Sequence, residues 1–314
     1  MGVFYNAVSG VLIILIMIAL GFILARNDWF DSKMTSMIAR LVTQVALPAY
    51  MISTIMEKFT AKKLLTTLPD LFFPIISMLL LYIVSILIVK FAKIPKMHSG
   101  LFMSMFSNSN TVFVGLPVNM ALFGKSSLPF VLVYYMANTT FFWTLGVYLI
   151  QKDGKGEGTF NWKQTLKKVF SPPLLGFMVG VVLVLLHVSL PDFLMKDFNY
   201  IGNLTIPLSM IFIGISINSV DLTSIHFDRS NFLILFGRFL LAPVIMSLLV
   251  IPTPLPVLMK QVFIMQAAMP IMTNAPVVSR LYHADSEYAS IMVAETTLLS
   301  LVVIPILMVL VEKL

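Results

Sequence analysis

Asn108, Asn110, Thr111, Gly115 and Pro117 fall within ten residues of one uncharged stretch, Ser99 to Gly124. Their polar side chains donate and accept hydrogen bonds without carrying charge, which is the chemistry of reversible recognition rather than of bond making. The stretch is long enough to cross a bilayer, which takes about 20 residues. Lipid cannot satisfy backbone groups freed around Gly115 and Pro117, so a break at this depth must be buried in protein or line a polar cavity. A second segment, Pro270-Ile271-Met272-Thr273-Asn274-Ala275-Pro276, repeats this composition in the other half of the chain. Discontinuous helices near the midplane are how secondary transporters build their binding sites.

The chemistry expected at such breaks is anion binding. Proline lacks an N–H and clashes with the preceding turn, so each break frees carbonyls and exposes amide donors. The half-helix beginning at a break presents a partly positive end, worth about 0.3–1 kcal/mol to an anion and up to ~2 kcal/mol when partly buried. Gly115, Pro117 and Pro276 shape the breaks, while Asn110, Thr111, Thr273 and Asn274 add neutral donors and acceptors. Asn138, followed by Thr139 on the fifth span, is placed to reach the same cavity. No fixed cation is required, which suits binding followed by release.

Glu295 and Arg238 are charged residues well inside predicted spans. An ionised Glu295 at membrane depth costs about 2.5–3.5 kcal/mol or more, so it must be protonated, paired or wet. It is the candidate for proton coupling, with a structural pair, for instance to Arg238, as the competing reading. Arg238 either pairs with an anion or snorkels to the interface from a helix end.

The elements that must position these groups follow from composition. The chain has 314 residues, 59% of them hydrophobic and 11% charged, with mean hydropathy +0.96. A soluble domain carries about 25% charged residues, so the fold class is an all-α integral membrane protein. Ten transmembrane helices are predicted near 3–25, 34–56, 68–90, 98–123, 128–150, 171–190, 198–220, 230–251, 257–281 and 287–311, joined by turns at Asn27-Asp28, Pro95, Gly124, Pro191 and Asp221. The first lacks a basic leader and a small-residue cleavage site, so it is expected to be retained. The polar segment 151–170 divides the chain into five-helix halves, 1–150 and 171–314. The net charge of +7 is spread between apolar runs, which argues against nucleic acid. With no cysteine and four scattered histidines, disulfides and metal-ligand spacings are absent.

Lysine and arginine orient the spans. Arg26, Lys33, Lys90, Lys93, Lys96, Lys152, Lys155, Lys163, Lys167, Lys168, Arg229 and Arg280 fall on one side, and Lys58, Lys62, Lys63, Lys125, Lys196, Lys260 and Lys313 on the other. The 151–170 loop is therefore expected in the cytoplasm, with both termini outside a multi-pass protein of the cell (plasma) membrane. The halves align at an offset of 159 residues, which places Pro48 on Pro207, Pro117 on Pro276, Gln44 on Asn203 and Gly21 on Gly180. With five spans in each half, such repeats are inverted, an architecture suited to alternating access.

At this point the chain resembles the auxin efflux carrier family, which includes bacterial carboxylate permeases. The resemblance rests on Asn110-Thr111-Val112-Phe113-Val114-Gly115-Leu116-Pro117, on Met269-Pro270-Ile271-Met272-Thr273-Asn274-Ala275, and on Thr296-Thr297-Leu298-Leu299-Ser300 with Pro305. Val112 stands where the family pattern has glycine. The resemblance implies two inverted five-helix repeats with broken crossing helices 4 and 9, in a fold related to bile-acid symporters. It also implies a dimerising scaffold of spans 1, 2, 6 and 7, and a transport domain of spans 3–5 and 8–10 that moves as an elevator.

The function expected is secondary transport of a small organic anion, a carboxylate such as malate, with the proton as a further partner and no cofactor. An anion channel or passive pore is the alternative, and counterflow separates the two. An enzyme is not expected, because no reactive constellation or nucleotide-binding motif is present.

Overall fold

The computed structural model describes residues 2–61, 68–154, 170, 172–218 and 228–314, and these are helical apart from turns, caps and one antiparallel bridge between Ser109 and Ile271. In the first half, α1 (Gly2–Arg26) precedes α2 (Ser32–Leu41), which runs through a π turn (Val42–Ala46) into α3 (Leu47–Lys58). Next come α4 (Phe72–Phe91) and α5 (Ser99–Ser107). After the bridge, a π turn (Thr111–Gly115) opens into α6 (Leu116–Phe123). α7 (Leu128–Phe141) passes through a third π turn (Phe142–Gly146) into α8 (Val147–Asp153).

The second half begins with α9 (Pro172–Leu185), α10 (Asp192–Gly202) and α11 (Thr205–Asn218). α12 (Arg229–Phe236) and α13 (Ala242–Val250) flank a π turn (Gly237–Leu241). α14 (Val257–Ala267), α15 (Asn274–Leu281) and α16 (Ser286–Val311) complete the chain.

Among the described residues, six helices are long and apolar enough to cross a membrane: Lys33–Glu57, Pro69–Phe91, Thr111–Asp153, Asp192–Asn218, Arg229–Val250 and Ser286–Val311. Thr111–Asp153 contains a turn at Gly124, whose φ of +68° suits glycine. Leu15–Arg26, Pro172–Leu185 and Val257–Ala267 are apolar but shorter. The helix expected from residue 198 starts earlier, at Asp192, because Pro191 is a ready N-cap and Asp192 faces the positive helix end. The helix expected to reach residue 190 stops at Leu185, and the chain turns at His187 with φ 55°. Most of the 151–170 linker lies outside the described residues, as do the Asp221 turn and Lys62, Lys63, Lys155, Lys163, Lys167 and Lys168.

Three of the four π turns begin six residues before a proline: Val42 before Pro48, Thr111 before Pro117 and Gly237 before Pro243. A proline would strand the carbonyl four residues earlier, here Gln44, Phe113 or Phe239, and each lies inside its π turn. Widening the helix there absorbs the ring without ending the helix.

Packing between the halves is reciprocal. α1 packs on α11, and α9 packs on α3. A Cβ at Gly21 would sit 2.3 Å from the Ile211 carbonyl, and one at Gly214 would sit 2.1 Å from the Ile18 carbonyl. Gly176 approaches Pro48 just as closely, with 2.7 Å to its Cα. Ile16, Phe91, Tyr200 and Leu248 are exposed on the outside, a surface suited to lipid rather than water.

Candidate functional site

Each interrupted segment has two ends, one where a half-helix stops and one where the next begins. The stopping ends are closed by Arg238. This side chain is fully buried in the π turn after α12. Its Nε donates to Met269 O at 3.2 Å, and its Nη1 donates to Phe106 O and Ser107 O, both at 3.1 Å. Its Nη2 donates to Ala267 O at 2.6 Å and to Met269 O at 2.9 Å. A guanidinium has five N–H donors, and here they meet the negative ends of α5 and α14.

That geometry corrects two expectations. Arg238 does not snorkel, because it is buried between the two half-helices. It has no donor left for a substrate anion, and it does not pair with Glu295. Five carbonyl contacts satisfy it more completely than one carboxylate could.

Between their ends the two segments pair with each other. Ser109 and Ile271 form the bridge, and Asn110 N donates to Pro270 O at 2.8 Å. Asn138 completes this pairing from α7: its Oδ1 accepts from Ser109 N at 2.9 Å and its Nδ2 donates to Ser109 O at 2.8 Å. On the other segment, Thr296 Oγ1 accepts from Ile271 N at 3.2 Å. Asn138 is fully buried and lines neither cavity described below, so its amide substitutes for a missing strand neighbour.

Gly115 serves the pairing as well. A Cβ there would lie 2.2 Å from Gln266 Oε1 on α14, so glycine permits the close approach of the two segments. Gly115 and Pro117 are buried and border neither cavity. Their contribution is to shape the break.

The beginning ends are open. Asn110 is 2% exposed, and its Oδ1 caps the new turn by accepting from Phe113 N at 3.1 Å. Its Nδ2 has no protein partner. Thr273 stands at the N-cap of α15 with no side-chain cap bond. Two cavities meet here, both bordered by Asn110, Phe212 and Thr273. One, of about 380 Å³, reaches Pro276, Ser216, Glu287, Ser290 and Thr297. The other, of about 980 Å³, reaches Thr111, Thr139, Asn274, Arg40 and Arg280. Thr139 Oγ1, also buried on this wall, lacks a protein partner. The Phe212 ring, 4.9 Å from that of Phe113, stands between the two spaces.

Both cavities lie at the ends where α2, α9 and α16 begin. Beyond the crossing, between α1, α6, α11 and α16, lies a small apolar space of about 30 Å³, walled by Val114, Val118, Ile213 and Ile304. Among the described residues, the polar space at Asn110 and Thr273 opens toward the ends where α2, α9 and α16 begin.

Glu295 turns away from both cavities, although its neighbours Ala294 and Thr297 line the smaller one. It is 5% exposed and accepts from Asn231 Nδ2 on α12 at 3.1 and 3.2 Å. Sequence reasoning did not single out Ser216, Glu287 or Ser290 as lining residues. Glu287, Ser290, Ala294 and Thr297 follow the spacing of one helix face, a signal present in the last span but hidden by its apolar composition.

A family profile described as "Membrane transport protein" matches residues 6–308. The chain is 25% identical over 309 residues to an uncharacterized transporter of Methanocaldococcus jannaschii, covering 94% of this chain and 95% of that one. It is 26% identical over 309 residues to an uncharacterized transporter of Methanothermobacter thermautotrophicus, covering 97% and 98%.

Proposed function

The chain belongs to this membrane transport protein family, that of the auxin efflux carriers, and from that premise we propose that it is a secondary carrier for a small organic anion, a carboxylate such as malate. One observation carries the reading: the buried, unpartnered Nδ2 of Asn110 at the two open half-helix ends. Leaving a buried donor unmade costs about 1–3 kcal/mol. A carboxylate oxygen would recover that cost and meet both positive helix ends at once. Thr111, Thr139, Thr273 and Asn274 border the same space and orient the anion. Arg40 and Arg280, both exposed at the mouth, draw anions in without holding them.

Alternating access is supported by the polar space opening toward one end of the molecule. In the orientation set by the basic residues, that end faces the cytoplasm, both termini lie outside the cell membrane, and this is the inward-open state. We assign the scaffold to spans 1, 2, 6 and 7, where α1–α11 and α9–α3 pack through close glycine contacts, and the dimer contact to the same scaffold. The transport domain comprises spans 3–5 and 8–10, with Arg238 tying its two crossing segments together. The apolar space beyond the crossing disfavours the alternative, a continuous anion pore.

The test is uptake of labelled malate and lactate into proteoliposomes, with and without unlabelled anion inside. A carrier gives saturable flux accelerated by internal substrate, and Asn110→Ala reduces it at least tenfold. Flux without acceleration would favour the pore. Transport of neither anion would refute the carboxylate assignment.

A further inference from the structure

Away from the substrate cavities, α12 and α16 share a polar seam that begins at the surface. His98 Nε2 lies 3.0 Å from Asp285 Oδ2, close but poorly aligned for a hydrogen bond. The His98 ring stacks on Tyr288, with centroids 5.0 Å apart and planes 11° apart. The Tyr288 hydroxyl meets Ser230 Oγ at 2.7 Å. The next residue of α12, Asn231, donates to both oxygens of Glu295. His98, Asp285, Tyr288 and Ser230 thus share the seam with the buried Glu295 carboxyl.

Glu295 has no cation partner among the described residues, where the single ion pair is His98–Asp285. Its one partner here is a neutral amide, and Asp228, at the N-cap of α12, adds charge of its own sign, while Asp285 caps α16 at the same end and Glu287 borders the smaller cavity. Arg229, two residues before Asn231, is exposed at the start of α12. Asp153, at the end of α8, spends its carboxylate on Leu101 N at 2.7 Å and Ser99 Oγ at 3.3 Å. A buried carboxylate without a counter-charge is costly, and the smallest ligand that removes the cost is a proton.

We propose that the α12–α16 seam holds a proton-binding site, the Glu295 carboxyl, distinct from the anion cavity. Loading forms an O–H bond on Glu295 as a hydronium ion gives up that proton and leaves as water, and unloading reverses the step. Helix α16 couples the two sites, because Glu295 faces the seam while Ala294 and Thr297 face the anion. The loaded and empty states would therefore bias how α16 sits against the crossing. This inference rests on the carrier reading.

The test follows labelled malate and an internal pH dye together in proteoliposomes of the full-length protein. In the wild type, malate entry moves protons with it. In Glu295→Gln the protons moved per malate fall at least fivefold, and Glu295→Asp restores them at least in part. Proton movement in Glu295→Gln equal to the wild type would overturn the proposal. So would loss of all malate flux in both Glu295 variants, since Glu295 would then be structural. If the wild type exchanges malate but moves no protons, the proton site fails and the carrier stands. If the wild type moves no malate at all, the carrier reading itself fails.

Discussion

The two kinds of end at the crossing differ in one respect. Where α5 and α14 stop, the carbonyls of Phe106, Ser107, Ala267 and Met269 are met by the guanidinium of Arg238 in a fully buried site. Where the next turns begin, the buried Asn110 amide and the Thr273 cap are left unmet against cavities of about 380 and 980 Å³. The negative poles are matched by a fixed charge of the protein and the positive poles are kept for a mobile one. A single arginine therefore does more than neutralise carbonyls, because it fixes which ends remain available to an anion.

Breaking the closed ends should have the largest effect. Arg238→Met leaves the carbonyls of Phe106, Ser107, Ala267 and Met269 without their donor, and hydrogen bonds to a charged group contribute about 1.5–3 kcal/mol each. We expect transport below 1% of wild type and a clear loss of thermal stability in detergent. Arg238→Lys, with three donors in place of five, should retain more of both. Equal behaviour of the two variants would mean that the planar fork is irrelevant.

A smaller effect is expected from disturbing the geometry between the ends. Gly115→Ala places a methyl against Gln266 Oε1, and overpacking of this kind costs about 1–3 kcal/mol. Flux should drop roughly tenfold to a hundredfold by that energy, and a second change, Gln266→Ala, should restore part of it. Without rescue by the double variant, the close approach is not what Gly115 provides.

The smallest effect belongs to the mouth. Arg40 and Arg280 are exposed, and exposed charges are screened over about 8–10 Å at physiological salt. Arg40→Gln and Arg280→Gln should each raise KM by about twofold to fivefold at low salt, through lost steering. The difference should shrink as salt rises, and a salt-independent change would place these residues in direct contact with substrate.

How much of this was legible in the sequence depends on the range of the interaction. The breaks were readable, because Asn110, Gly115, Pro117, Thr273, Asn274 and Pro276 are local signals in stretches that otherwise suit lipid. The turn at Gly124 was readable for the same reason. The partners of Arg238 were not, because they are backbone carbonyls 29–31 and 131–132 residues away and carbonyls carry no residue type. The bond from Asn138 to the backbone of Ser109 was hidden on the same ground, because a polar side chain at membrane depth reads as ligand-facing. Glu295 was recognisable as unusual, but the face it presents is set by α12, which sequence spacing along α16 does not reveal.

The measurement that bears most directly on the open ends is malate counterflow in Asn110→Asp. The substitution keeps the shape and the oxygen that caps Phe113 N, so the turn should form as before. It removes the unpartnered donor and places an acidic group where the anion should sit. The account predicts that detergent stability stays close to wild type while malate counterflow falls at least a hundredfold. Counterflow near wild-type rates in a stable Asn110→Asp would contradict it, and the anion would then have to bind elsewhere.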